Sequence, residues 1–338
     1  MPDIRQRKQD HIELALKEEH QCALPTIFDN VRFEHIAAPE LCLHNIDVSC
    51  QFLDRFCSAP LIIGAMTGGC DNAETINRHL AEAAQVCEIP MALGSQRAAL
   101  ELGLPQNIRQ WAPTALLLGN LGGTQLVEGG LPLAQAAVES IRADALMVHL
   151  NPLQELAQPQ GDHNWTGVLH AIETCCRELD VPVIVKEVGT GIGPTTARRL
   201  LESGVKWIEV AGRGGTNWTT IELARNLSSR EREIMQPFSS WGMTSAELLM
   251  PLRRLDADLG LIASGGIRNG IDIARCLRLG ATMTAVAQPF LEPALQSTDA
   301  VVEKIDILTE QLRRTLFLTG SENLTSLRVA PLASSAVT

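Results

Sequence analysis

Two stretches decide the fold: Lys206-Trp-Ile-Glu-Val-Ala-Gly-Arg-Gly-Gly-Thr216 and Leu261-Ile-Ala-Ser-Gly-Gly-Ile-Arg268-Asn-Gly270. Each is an apolar run that passes straight into a glycine-rich turn and then into a helical pattern. Glycine lets backbone N–H groups approach a ligand closely, and the following helix N-terminus adds partial positive charge, so each turn suits a phosphate. Thr216 and Arg268 add side-chain donors to that cradle. Two such turns on successive parallel strands are what a β/α barrel offers near its seventh and eighth strands. They predict a phosphate-bearing ligand at one end of the molecule.

Working outward, short Ile/Val/Leu/Ala-rich runs alternate with longer amphipathic stretches, the pattern of βα units around a parallel sheet. Eight strands are predicted, at 61–65, 89–94, 115–120, 145–151, 182–188, 206–211, 260–264 and 282–287. They are nearly all apolar rather than alternating, as strands buried on both faces must be. Helices are predicted at 72–87, 131–142, 166–179, 193–203, 244–256 and 271–279. Eight units predict a closed (β/α)8 TIM barrel over 59–338, preceded by an N-terminal extension, 1–58, that carries a charged helix near 7–19. The stretch 226–240 is expected to be a mobile surface insertion.

Composition bounds the chemistry. The chain has 338 residues, 45% hydrophobic and 20% charged, enough for one large core. Its net charge of −11 argues against nucleic acid or a membrane surface as partner, so an anionic substrate needs a local cationic site. The first ten residues are too polar for a signal peptide, and a cytoplasmic location is expected. Nine cysteines without a C-x-x-C pair read as reduced, mostly buried thiols.

In such a barrel the chemistry comes from the C-terminal ends of the strands. Those ends carry Ala65-Met66-Thr67, Ser95-Gln96-Arg97, Asn120, His149-Leu-Asn151-Pro-Leu-Gln154-Glu155 and Lys186-Glu187. His149 and Asn151 share a face of their strand, with Gln154 and Glu155 in the loop beyond. Several donors and one or two carboxylates are predicted to converge on one mouth. Trp218, after the first glycine turn, suits either an apolar substrate tail or packing.

Seven motifs, in order, resemble one known family: Arg7-Lys8-x-Asp10-His11, Met66-Thr-Gly-Gly69, Gly94-Ser-Gln-Arg97, His149-x-Asn-x-x-Gln-Glu155, Lys186-Glu-Val-Gly189, Ala211-Gly-x-Gly-Gly-Thr216 and Ala263-Ser-Gly-Gly-Ile-Arg268. Together they resemble type 2 isopentenyl-diphosphate isomerase, an FMN- and Mg²⁺-dependent barrel enzyme that interconverts isopentenyl and dimethylallyl diphosphate in isoprenoid biosynthesis. The resemblance runs from about Arg7 to Leu291. Asn217 stands where serine is common, Trp165 where phenylalanine is usual, and Ala287-Gln288 replaces a frequent Ala-Arg.

The resemblance implies a full set of roles. FMN would contact Ala65, Met66, Thr67, Ser95, Asn120, Lys186, Thr216, Gly266, Ile267, Arg268, Ala287 and Gln288, with NADPH as the flavin reductant. Arg7, Lys8, His11, Ser95, Gln96, Arg97, Gln154 and Trp218 would bind substrate. Glu155 would hold Mg²⁺, and Gln154, His149 and Asn151 would form the catalytic group. The family also implies a homo-oligomer, a tetramer or octamer. Two other classes compete. A different FMN barrel oxidoreductase would want a nucleophilic Cys or a His base that the loop Gly191-Ile-Gly-Pro-Thr-Thr196 lacks. A non-catalytic flavin-binding barrel would not need Gln154 and Glu155 beside an anion site.

Overall fold

The structure, a computed structural model, describes residues 4–22, 28–66, 73–225 and 228–333. A two-stranded antiparallel hairpin, β1 (Cys50–Phe52) and β2 (Arg55–Cys57), precedes eight parallel strands: β3 (Leu61–Ile63), β4 (Met91–Ala92), β5 (Leu117–Gly122), β6 (Ala145–Leu150), β7 (Val183–Glu187), β8 (Trp207–Glu209), β9 (Gly260–Ser264) and β10 (Met283–Val286). They follow one another in sequence order around a closed barrel, with β10 pairing β3. All eight predicted strands are present. The two glycine turns follow the sixth and seventh barrel strands, as the order of the eight predicted strands has it.

Inward-facing residues on the lower layer are apolar: Ile62, Ala92, Leu118, Met147, Ile184 and Ile262 pack into one cluster, which Phe52 of the hairpin closes from below. Its ring meets Trp207 edge-on at 4.9 Å. Side chains alternate along a strand, so two residues further up the same inward faces lie Asn120, His149, Lys186, Glu209 and Ser264. Adjacent strands in register hold His149 beside Lys186 and Lys186 beside Glu209. The same periodicity that fills the barrel floor with hydrocarbon therefore makes its roof polar.

Helices cover the outside and differ from expectation at several places. Residues 4–15 form one helix and Glu18–His20 a 3-10 turn, where a single helix near 7–19 was expected. The helical stretch after β5 begins at Gly123, well before residue 131, and is interrupted at Gly130 (φ 58°), with Pro132 just beyond. In the stretch expected to be a mobile surface insertion, Ser229–Met235 is an α-helix capped by Ser228, and Gln236–Ser240 is a 3-10 helix. Asn226 and Leu227 fall outside the described residues. Of the eight described cysteines, Cys57, Cys175 and Cys276 are buried and the others are half-buried or exposed, so most thiols are not core. Cys70 lies outside the described residues. No described helix is long and apolar enough to cross a membrane.

Candidate functional site

The barrel mouth opens into a cavity of about 260 Å³. Strand ends supply Ala65, Ser95, Asn120, His149, Lys186 and Ser264 to its wall, and the glycine turns supply Gly215, Thr216 and Gly266 to Arg268. The N-terminal helix contributes Arg7, Lys8 and His11 from outside the barrel. Met66, Arg97, Asn151, Gln154, Glu155, Trp218, Ala287 and Gln288 complete the meeting of the predicted residues. Among the described residues, one predicted residue, Gln96, is not part of it. Thr67 lies outside the described residues. Gln96 faces away from the cavity: its Nε2 donates to Ala137 O (3.0 Å) and Ser140 Oγ (3.0 Å), and its Oε1 accepts from Asn120 N (2.8 Å). Gln96 is the N-cap of the short helix Arg97–Glu101, with its neighbours Ser95 and Arg97 at the mouth, and it serves to pin β5.

The glycine turns press against each other. A Cβ on Gly265 would lie 2.0 Å from Gly212 O, one on Gly266 3.0 Å from Gly214 C, and one on Gly215 3.1 Å from Gly266 N. Only glycine allows that approach, and Gly265 and Gly266 also need positive φ (88° and 83°). Arg268 reaches over the paired turns, donating from Nη2 to Gly214 O (3.3 Å) and Cys22 O (3.2 Å). The helix that follows, Gly270–Arg278, is capped by Asn269. Such a cradle fits the phosphate of a flavin nucleotide at the loops.

Five cationic side chains, Arg7, Lys8, Arg97, Lys186 and Arg268, line the cavity against two carboxylates, Glu155 and Glu209. A protein of net charge −11 thus presents a locally positive mouth. Arg7 Nε is buried with no hydrogen-bond partner among the described residues, a donor suited to an incoming anion. Burial lowers the Arg7 pKa, against the raising influence of Glu222 and Glu155.

His149 Nδ1 lies 2.9 Å from Asn120 Oδ1, while Asn120 Nδ2 donates to Leu93 O. That orientation of the amide makes Nδ1 the protonated nitrogen and leaves Nε2 as an acceptor. Burial, then the charges of Lys186 and Lys8, pulls the His149 pKa down to about 3, so the ring is neutral at physiological pH.

The helix Pro152–Ala157 carries Gln154 and Glu155, which are therefore helical and not in a loop. Proline at its first turn and Asn151 at its N-cap start it immediately after β6. Asn151 Nδ2 donates to Glu155 Oε1 (2.8 Å) and Gln154 Oε1 (3.3 Å). Glu155 Oε2 accepts from Asp162 N (2.8 Å). No group of three acidic, His or Cys ligands converges among the described residues. Glu155 alone suits Mg²⁺, which keeps waters and uses one or two carboxylates plus substrate phosphates.

Glu222 escaped the sequence reading. It is fully buried on the helix Trp218–Ala224 and joins three elements: His11 Nε2 (2.9 Å), Gln154 Nε2 (3.2 Å) and Arg225 Nη1 (2.7 Å). Burial alone would raise its pKa, but the hydrogen bond and charge of His11, the charge of Arg225 and the bond from Gln154 outweigh it, and the carboxyl sits below its ordinary range. Burial lowers the His11 pKa more than the hydrogen bond and charge of Glu222 raise it. Trp218 meets His11 edge-on at 5.1 Å, joining packing to cavity lining. The available signal was Asn217: as N-cap it sets the helix phase and turns Thr219 and Glu222 inward together.

Lys186 Nζ donates to Glu187 O (2.5 Å) and lies 3.5 Å from Glu209 Oε1. Glu187 itself turns away, its Oε2 accepting from the amides of Val188, Gly189 and Gly191 at 2.6–3.1 Å, which shapes the loop after β7.

The FMN-dependent dehydrogenase family matches residues 133–333. The isopentenyl-diphosphate delta-isomerase of Pseudescherichia vulneris is 47% identical, over 97% of this chain and 96% of its own. That of Stutzerimonas stutzeri is also 47% identical, over 96% of each. The Nostoc sp. isomerase is 41% identical over 95% of this chain and 93% of its own. Among solved structures, a mandelate oxidase variant with a monooxide FMN adduct superposes with a TM-score of 0.65 at 16% identity, covering 96% of this chain and 92% of that one, a likeness of fold. With near-full-length relatives at this identity and the barrel and cradle described above, the chain belongs to the isopentenyl-diphosphate delta-isomerase family of FMN-dependent enzymes.

Proposed function

We infer that the protein interconverts isopentenyl and dimethylallyl diphosphate, using reduced FMN and Mg²⁺, with NADPH serving to reduce the flavin. The observation that carries the reading is the cationic mouth directly above a polar barrel roof and beside paired glycine turns, in a chain otherwise acidic. One anion site suits the cofactor phosphate and the other a diphosphate.

The reaction adds a proton at the terminal alkene carbon and removes one near the diphosphate, with positive charge developing between. Reduced FMN supplies an electron-rich ring and a protonable N5 region, which no side chain in the cavity offers. The chain's own residues bind, orient and exclude water. Arg7, Lys8, Arg97 and Asn151 would hold the diphosphate, and Glu155 would hold a Mg²⁺ that offsets its charge. His149 enters neutral with a free Nε2, so it accepts before it donates, and gains a proton only beside an anion. Gln154 is fixed by Asn151 and Glu222 at both ends of its amide and positions the reacting carbons. Trp218 and Met66 give the prenyl tail an apolar wall.

In this reading the segment 1–58 completes the substrate site and 59–338 forms the FMN barrel. Cytoplasmic location and a homo-oligomeric assembly are expectations carried by the family resemblance. The test is an oxygen-free assay of purified protein with isopentenyl diphosphate, FMN, Mg²⁺ and NADPH. Many turnovers should follow one flavin reduction. NADPH consumption matching product would overturn the isomerase reading in favour of a reductase.

A further inference from the structure

At the base of the cavity, on the end of β8, Glu209 is only 3% exposed. Its Oε1 accepts from Ser264 Oγ at 2.7 Å and lies 3.5 Å from Lys186 Nζ. Its Oε2 is buried and meets no hydrogen-bond donor among the described residues. A buried carboxylate oxygen without a donor is costly, because it gives up water and gains nothing in return. The side chain nevertheless lines the cavity, and its fixed Oε1 leaves Oε2 the freer of the two oxygens.

The position of Glu209 in the chain narrows what that donor is. It ends the strand that leads into the first glycine turn, two residues before Ala211, and Ser264 ends the strand that leads into the second. A ligand with its phosphate in the paired turns must run its next atoms over these two side chains before its ring reaches Lys186 and His149. In a flavin nucleotide those next atoms are the ribityl chain, a row of neutral hydroxyl donors.

Resting on the FMN reading above, we propose that Glu209 is a cofactor-binding residue whose Oε2 accepts a hydrogen bond from a flavin ribityl hydroxyl. Ser264 and Lys186 hold the carboxylate from its other side, so the acceptor is fixed before the cofactor arrives and little ordering is needed on binding. Glu209 thereby recognises the polyol chain, separately from the phosphate and from the ring.

The test titrates apoprotein with FMN and with FMN analogues each lacking one ribityl hydroxyl, read by quenching of flavin fluorescence. Wild type should bind one analogue about tenfold or more weakly than FMN, the usual weight of a hydrogen bond to a charged acceptor. Glu209→Met, equal in length without an acceptor, should lose that discrimination and keep its response to the other analogues. Uniform weakening from leaving the buried Lys186 charge without Glu209 cancels in the comparison. If Glu209→Met gives no cooperative melt, Glu209→Ala takes its place. Wild type binding every analogue as tightly as FMN, or either variant discriminating as wild type does, overturns the role of Glu209. Wild-type apoprotein that takes up no FMN overturns the cofactor reading as well, and that outcome is distinct from the others.

Discussion

Substituting Glu222 by Gln should release the N-terminal helix from the barrel while leaving the barrel intact. The carboxylate is fully buried and accepts from His11, which sits on that helix, from Gln154 and from Arg225. An amide of the same shape keeps one oxygen but turns N–H groups toward donors, and Arg225 loses its buried counter-charge. Breaking a buried pair costs about 3–5 kcal/mol. Asp10 Oδ2, 3.3 Å from Arg225 Nε, retains part of it, so the lower figure applies. About 3 kcal/mol is about a hundredfold in the docking equilibrium. Hydrogen exchange resolved by peptide is the assay. Amides of Ile4–Ala15 should exchange about a hundredfold faster in Glu222→Gln, with β6 and β7 unchanged and FMN still bound. Equal protection of that helix in both proteins would refute the reasoning, because it would mean that contacts such as Ile12, Ala15 and the Asp10–Arg225 pair hold it down without Glu222.

Glu155→Gln removes the one carboxylate at the diphosphate end of the cavity; activity should fall steeply at limiting Mg²⁺ and recover in part at high Mg²⁺, measured by metal titration with FMN content checked. Gln154→Asn withdraws the amide from Glu222 by one methylene and should lower kcat about a hundredfold with little change in KM, as misplaced reacting groups do. For His149, whose folded pKa is depressed to about 3, the unfolded chain binds the extra proton between that value and about 6.5. Its neutral form therefore contributes stability that is complete above about pH 6.5 and is lost as pH falls toward 3. Denaturation midpoints of His149→Gln should accordingly depend less on pH over that window than those of wild type, and parallel curves would show that His149 is not the group responsible.

The sequence by itself determined the barrel, because strands buried on both faces must be continuously apolar, and Leu117–Leu118, Val183–Val185 and Leu261–Ala263 can be nothing else at that length. It also determined the cradle, since Gly265 and Gly266 are glycines for local backbone reasons that no distant contact alters. What it left open depends on where side chains point and what lies across from them. Gln96 sits between two cavity residues in sequence and faces the opposite way, toward Ala137 and Ser140, because those partners lie on the helix packed behind β5 and no local pattern announces them. Glu222 is an ordinary helix acid until residues more than 200 positions earlier pack onto it: His11 finds it only through the closed barrel. Glu209 likewise acquires meaning from Ser264 and Lys186, which strand pairing alone brings within reach. Local propensity and burial period write the elements into the chain; the protonation state and orientation of its polar groups come from neighbours that only the tertiary fold assembles.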